Sequence, residues 1–173
     1  AGLFDNSAGL IQATDDGTVI VYAQAEVKGG DLTTTGNGVI ELHTIQGQGN
    51  PSLRGVTFTN GTRVVLPNDS DVGIHGTITN DGLIMSNDTS NSITAGGSRF
   101  TQMGAHTIEG AGNIGRTTNS EIVNSGLIDA NQPAGLTISP GNGANIETGL
   151  PMIIPGEDMR NQGTLQASNG GTL

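Results

Sequence analysis

The chain has 173 residues with a net charge of −10, 29 glycines, 2% aromatic and 13% charged residues, and neither Cys nor Trp. So acidic a chain, with only six Lys and Arg, has no basic patch for nucleic acid or an anionic membrane, and the lack of Cys excludes disulfides and thiolate metal sites. Rings occur only at Phe4, Tyr22, Phe58 and Phe100, so an aromatic-centred core is excluded and burial falls to Ile, Val, Leu and Ala in a thin, elongated interior.

The first predicted element is the unit Phe4-Asp-Asn6-Ser-Ala-Gly9-Leu-Ile11-Gln-Ala13. Apolar and polar residues alternate on both sides of its Asn and Gly, the period of a half-buried strand. Thr18 to Ala23 follows as an apolar run far too short to span a bilayer. Next comes His43-Thr-Ile45-Gln-Gly47-Gln-Gly49-Asn50, and then the first unit returns as Ile78-Thr-Asn80-Asp-Gly82-Leu-Ile84-Met-Ser86. The His43 stretch is repeated, identical at six of eight positions, as His106-Thr-Ile108-Glu-Gly110-Ala-Gly112-Asn113. Two further copies of the unit close the series, Ile122-Val-Asn124-Ser-Gly126-Leu-Ile128-Asp-Ala130 and Met159-Arg-Asn161-Gln-Gly163-Thr-Leu165-Gln-Ala167. Gly, Asn and Asp interrupt every candidate helix, so the elements are strands. Asn and Gly tolerate positive φ, and each Asn-x-Gly step therefore reads as a corner between two short strands.

Internal repetition of this kind points to a solenoid. Gly82, Gly126 and Gly163 lie 44 and 37 positions apart, and Gly9 to Gly82 is 73. Taking half of the shorter intervals as one coil predicts an all-β parallel β-helix of about eight or nine coils of roughly 20 residues. Stacked at strand spacing, these make a rod of roughly 40 Å. An immunoglobulin-like sandwich needs longer strands and commonly a core aromatic, which this composition does not favour. Ile78, Ile84, Ile122, Ile128 and Leu165 are expected to point inward. Asn80, Asn124 and Asn161 are expected at equivalent corners, either left-handed or with the side chain bonded to the neighbouring turn. Gly163 to Leu173 also matches Gly9 to Val19, so residues 1–173 are expected to form a single segment, one unit of a longer tandem array. Any export signal or anchor would then lie outside it.

The strings Asn124-Ser-Gly-Leu-Ile-Asp-Ala130, Gly135-Leu-Thr-Ile-Ser-Pro140 and Asn161-Gln-Gly-Thr-Leu-Gln-Ala-Ser-Asn-Gly-Gly-Thr-Leu173 resemble the Gly/Asn/Thr-rich repeats of large bacterial surface proteins. Autotransporter passengers and filamentous-haemagglutinin-like adhesins are the classes they look like. The resemblance implies a right-handed parallel β-helix, extracellular display at the cell surface, and a structural or adhesive role as a rigid rod. It brings no catalytic residue with it.

Parallel β-helices also house enzymes that cleave polysaccharides, which need acids clustered on one face, often with a basic residue or Ca²⁺. Most acids here sit beside Gly, Asn or Ser, where Asx turns place them anyway, so no catalytic, cofactor-binding or metal residue is assigned. Pro67-Asn-Asp69-Ser-Asp71 offers alternating oxygen ligands for Ca²⁺ but lacks the Gly and distal Glu of an EF-hand loop, and reads as a solvated turn. His43 and His106 occupy equivalent repeat positions rather than a ligand set. The Gly-x-Gly steps open no helix and read as turns. The triplets at Asn60, Asn68 and Asn87 are ordinary in so Asn- and Thr-rich a chain. Two functions from different classes follow: a passive spacer stacked on neighbouring repeats or identical subunits head-to-tail, or a module whose Thr/Asn-rich face binds, or even cleaves, a surface glycan.

Overall fold

The computed structural model describes residues 2–59, 61–78, 83–102, 107–115, 121–139 and 159–173. Among these residues the regular elements are all strands, and successive coils pair in parallel. β1 (Gly2–Asp5), β2 (Leu10–Ala13) and β3 (Thr18–Tyr22) form a three-sided first coil. β4 (Ala25–Lys28), β5 (Asp31–Thr34) and β6 (Val39–His43) lie on it side by side. β7 (Ser52–Arg54), β8 (Thr57–Phe58) and β9 (Arg63–Leu66) lie on those in turn. β10 (Asp71–Ile78) continues the first side and β11 (Leu83–Gln102) runs extended through positions that are separate strands in earlier coils, pairing with both β9 and β10. β12 (Thr107–Ile114), β13 (Glu121–Asn124), β14 (Leu127–Ala130), β15 (Leu136–Ile138), β16 (Met159–Asn161) and β17 (Thr164–Ala167) extend the same ladders.

The chain is thus a parallel β-solenoid of about five turns. Eight or nine coils is more than this. The register explains part of the excess. The 44 residues from Gly82 to Gly126 do span two steps, Ile84 to Ile108 and Ile108 to Ile128. The 37 residues from Gly126 to Gly163 span only one, since Ile128 pairs directly with Leu165. Halving that interval counts a coil that does not exist.

Alternation on every strand sends one aliphatic set inward, and in-register stacking joins these sets into columns. Phe4, Val27, Leu53 and Ile74 form one column, Ile11, Leu32 and Phe58 a second, and Val19, Ile40 and Val64 a third. From Val27, Leu32 and Ile40 onward these residues are buried. Phe58 is wholly buried too, on a strand only two residues long, so the interior admits a ring there. Ile128 is buried as expected, but Leu165 is 37% exposed. Leu165 holds its inward register and is covered on one side only, by Ile128. The side chains of Ile78, Ile84 and Ile122 lie outside the described residues.

Candidate functional site

One corner of the solenoid grows into a cleft, and the reason is loop length. The turn after β3 takes two residues, Ala23 and Gln24, before β4 begins, whereas the turn after β6 runs from Thr44 to Pro51. The extra residues cannot enter the coil without breaking its register, so they stand outside it. Gly47, at φ 81°, and a hydrogen bond donated by Gln48 N to Ile45 O at 2.9 Å fold them into a compact loop. Thr44 fixes its base: its hydroxyl donates to Asp71 O at 3.0 Å and accepts from Asp71 N at 2.8 Å on the next coil.

Between this loop and the corners of the next coils lies a cleft of about 680 Å³. Gln46, Gln48 and Asn50 line one wall, and Asn68, Asp69, Asp71 and Ser90 the other. Asp69 is held at φ 58° by its turn. The Asp71 carboxylate accepts a short hydrogen bond from the Ser92 hydroxyl, which commits one of its oxygens to the fold. Among the described residues no Lys, Arg or His lines the cleft. Ile45, 39% exposed, lies at its rim. Among the described residues no group of three or more His, Cys, Asp or Glu is placed to hold a metal ion. Asp69 and Asp71 are brought to one wall but without a third acidic ligand.

His43 ends β6, where its Nε2 lies 2.7 Å from Glu41 Oε2 and its ring packs 5.6 Å from that of Tyr22 on the preceding coil. His106 lies outside the described residues. The two His-containing stretches are not structurally equivalent: Ile108 is buried and in ladder register with Ile84 and Ile128, while Ile45 sits in the protruding loop.

The expected asparagine corners form in part. Positive φ among described non-glycine residues falls on Asp15, Gln24, Asp69 and Asn169, so Asn124 and Asn161 are not left-handed. Asn124 instead is wholly buried and works through its side chain. Its Oδ1 accepts from Gly126 N at 3.0 Å and its Nδ2 donates to Asn161 Oδ1 at 2.8 Å and to Thr164 O at 3.3 Å. Asn161 also bonds the glycine two residues on, but as the donor, to Gly163 O at 3.3 Å. Asn80 lies outside the described residues. The first copy of the unit is displaced: its Ile11 lies in the β2–β5–β8 sheet, whereas Ile84, Ile128 and Leu165 fall on aligned register positions of the other sheet.

Polar burial was the feature least visible in sequence. Thr62 is wholly buried, donating to Leu32 O at 3.0 Å and Thr59 O at 2.6 Å. Asn91 accepts from Ser70 N at 2.9 Å and donates to Leu66 O at 3.2 Å. Asp129 takes Gln166 Nε2 and Ser168 Oγ on its Oδ2 at 3.0 and 2.9 Å, while its buried Oδ1 has no hydrogen-bond partner. On the outer face Arg54 Nε meets Glu26 Oε1 at 2.6 Å, and this contact holds the Glu26 carboxyl below its ordinary pKa. Asp5 is lowered likewise, chiefly by hydrogen bonds from Ser7 and then by Lys28. Comparison with protein-family models, curated proteins and solved structures finds no match.

Proposed function

We propose that the chain is a structural or adhesive length of an extracellular, cell-surface or fibre-forming protein, a β-helical rod that lengthens by adding coils at its ends. The observation that carries this reading is where apolar surface is left uncovered. Among the described residues the exposed large hydrophobics are Leu3, Phe4, Leu10, Ile20 and Tyr22 in the first coil, Leu165 and Leu173 in the last stretch, and Ile45 elsewhere. Phe4, Ile11, Val19 and Val21 line an apolar cavity of about 330 Å³ at the open mouth of the interior. Phe4, Ile11, Val19 and Val21 are column residues whose columns stop, and another coil of the same pattern is the surface that fits them, whereas Leu3, Leu10, Ile20 and Tyr22 alternate with them on the outer face. The end coils even share a turn: Gly17 N donates to Thr14 O and Gly171 N to Ser168 O, each at 2.8 Å, with Asp15 and Asn169 at φ 53° and 49°. A contact between opposite ends is heterologous and does not close, so it extends into filaments. We take the coil to be right-handed, the hand that right-twisted parallel strands favour. Extracellular display accords with a Cys-free, low-charge chain whose exterior is Thr, Ser and Asn.

Sedimentation velocity over a concentration series tests the stacking. The expected result is a weight-average sedimentation coefficient that rises with concentration for the wild type and stays flat for Phe4→Glu and Leu165→Glu, with circular dichroism unchanged. A wild type that is monomeric at every concentration overturns the end-to-end rod. Protease added to intact cells tests the location, since a parent protein untouched by it is not displayed.

A further inference from the structure

We propose that the cleft beneath the loop of residues 44–50 is a binding site for a neutral oligosaccharide. This goes beyond the rod reading and does not depend on it, because the cleft lies on the flank of the solenoid and not at either end. Its volume of about 680 Å³ falls in the range of small-molecule sites, roughly 300–1,000 Å³. The chemistry of its walls selects among ligands. Gln46, Gln48, Asn50 and Asn68 each present an amide donor beside an amide acceptor, the pairing that adjacent sugar hydroxyls need. Asp69 adds acceptor-only oxygens for further hydroxyl donors.

Charge decides against the anionic alternatives. Asp69 and Asp71 face the cleft with no basic side chain among the described residues to offset them, on a chain of net charge −10. Uronates, sialic acids, sulfated sugars and phosphates are therefore repelled. A divalent cation would need more carboxylate oxygen than this wall supplies, with Asp71 already bonded to Ser92. An apolar ligand would strand the amides without partners. Ile45 at the rim, between flanking polar groups, gives the C–H face of a sugar ring an apolar surface to lie on.

Amide chemical-shift mapping by NMR tests the site, with cellotriose, mannotriose, maltotriose and chitotriose as neutral probes. Sialyllactose and a heparin tetrasaccharide serve as anionic comparisons, and a neutral polar tripeptide as a peptide comparison. The expected result is a saturable shift with at least one neutral trisaccharide, confined to residues 44–50, 68–71 and 90. The double variant Gln48→Ala/Asn68→Ala should weaken it about tenfold, two hydrogen bonds at about 0.7 kcal/mol each, with thermal melting unchanged. The inference is overturned by the absence of saturable shifts with all four neutral probes, by shifts elsewhere on the solenoid, by tighter binding of an anionic sugar or the peptide, or by a variant that binds like the wild type. Stacking plays no part in any of these readings, so failure of the rod model leaves them intact.

Discussion

Asn124 shows which of two roles open to a corner asparagine the fold uses. In Asn-x-Gly the sequence leaves open a left-handed backbone or a side chain bonded to the neighbouring turn; at Asn124 the backbone is not left-handed and the amide is buried among partners on two coils. The two explanations rank substitutions differently. A left-handed corner would accept Gly almost freely and resist Val. A side chain that satisfies Gly126 N, Asn161 Oδ1 and Thr164 O is lost equally with Gly or Ala. Asn124→Gly and Asn124→Ala should therefore both lower stability by about 1–3 kcal/mol, the cost of leaving buried polar groups unpaired, read from urea denaturation midpoints. An Asn124→Gly variant as stable as the wild type would restore the left-handed corner.

At the level of the strand and its corner, the glycine of the motif is explained by proximity. A Cβ on Gly163 would lie 2.1 Å from the Gly126 carbonyl oxygen of the coil beneath, which is backbone and cannot rotate aside. Gly163→Ala should cost about 1–3 kcal/mol by forcing β16 and β17 away from β13 and β14, visible as a lower melting temperature and faster amide exchange in Thr164 to Ala167. Unchanged melting would mean that the corner gives way without loss. The alternation around Ile128 was legible because period 2 and burial on one face are the same physical fact seen twice. The two His-containing stretches were not, because identity at six of eight positions leaves open where the coil's length is consumed. Ile40 and Leu42 already fill the inward side of β6, so the residues after His43 turn outward into the loop that walls the cleft. A cleft of this kind arises from a difference in length between neighbouring coils, and sequence periodicity suppresses differences of length by averaging over them.

For the whole molecule, contact only between neighbouring coils makes stability close to one-dimensional. Each internal coil is covered on both sides, as Leu32, Ile40, Leu53, Phe58 and Val64 are, all wholly buried. The first coil is covered on one side, leaving the column residue Phe4 56% exposed, and Leu165 is in the same position at the other end. End coils thus lose the conformational freedom of an ordered coil while gaining about half the interface, and should open without the rest. Native-state hydrogen exchange of the dilute monomer should show a gradient, with the highest opening free energies in β5, β6 and β9 and the lowest in β1, β2 and β17. If the ends stack, raising the protein concentration should increase protection in β1, β2 and β17 while leaving β6 and β9 unchanged, because only the end coils gain a neighbour. Phe4→Glu should abolish that rise without lowering protection at the centre. Uniform opening energies from β1 to β17 at all concentrations would show instead that the solenoid unfolds as one cooperative block, and that its uncovered apolar ends are already stable as they stand.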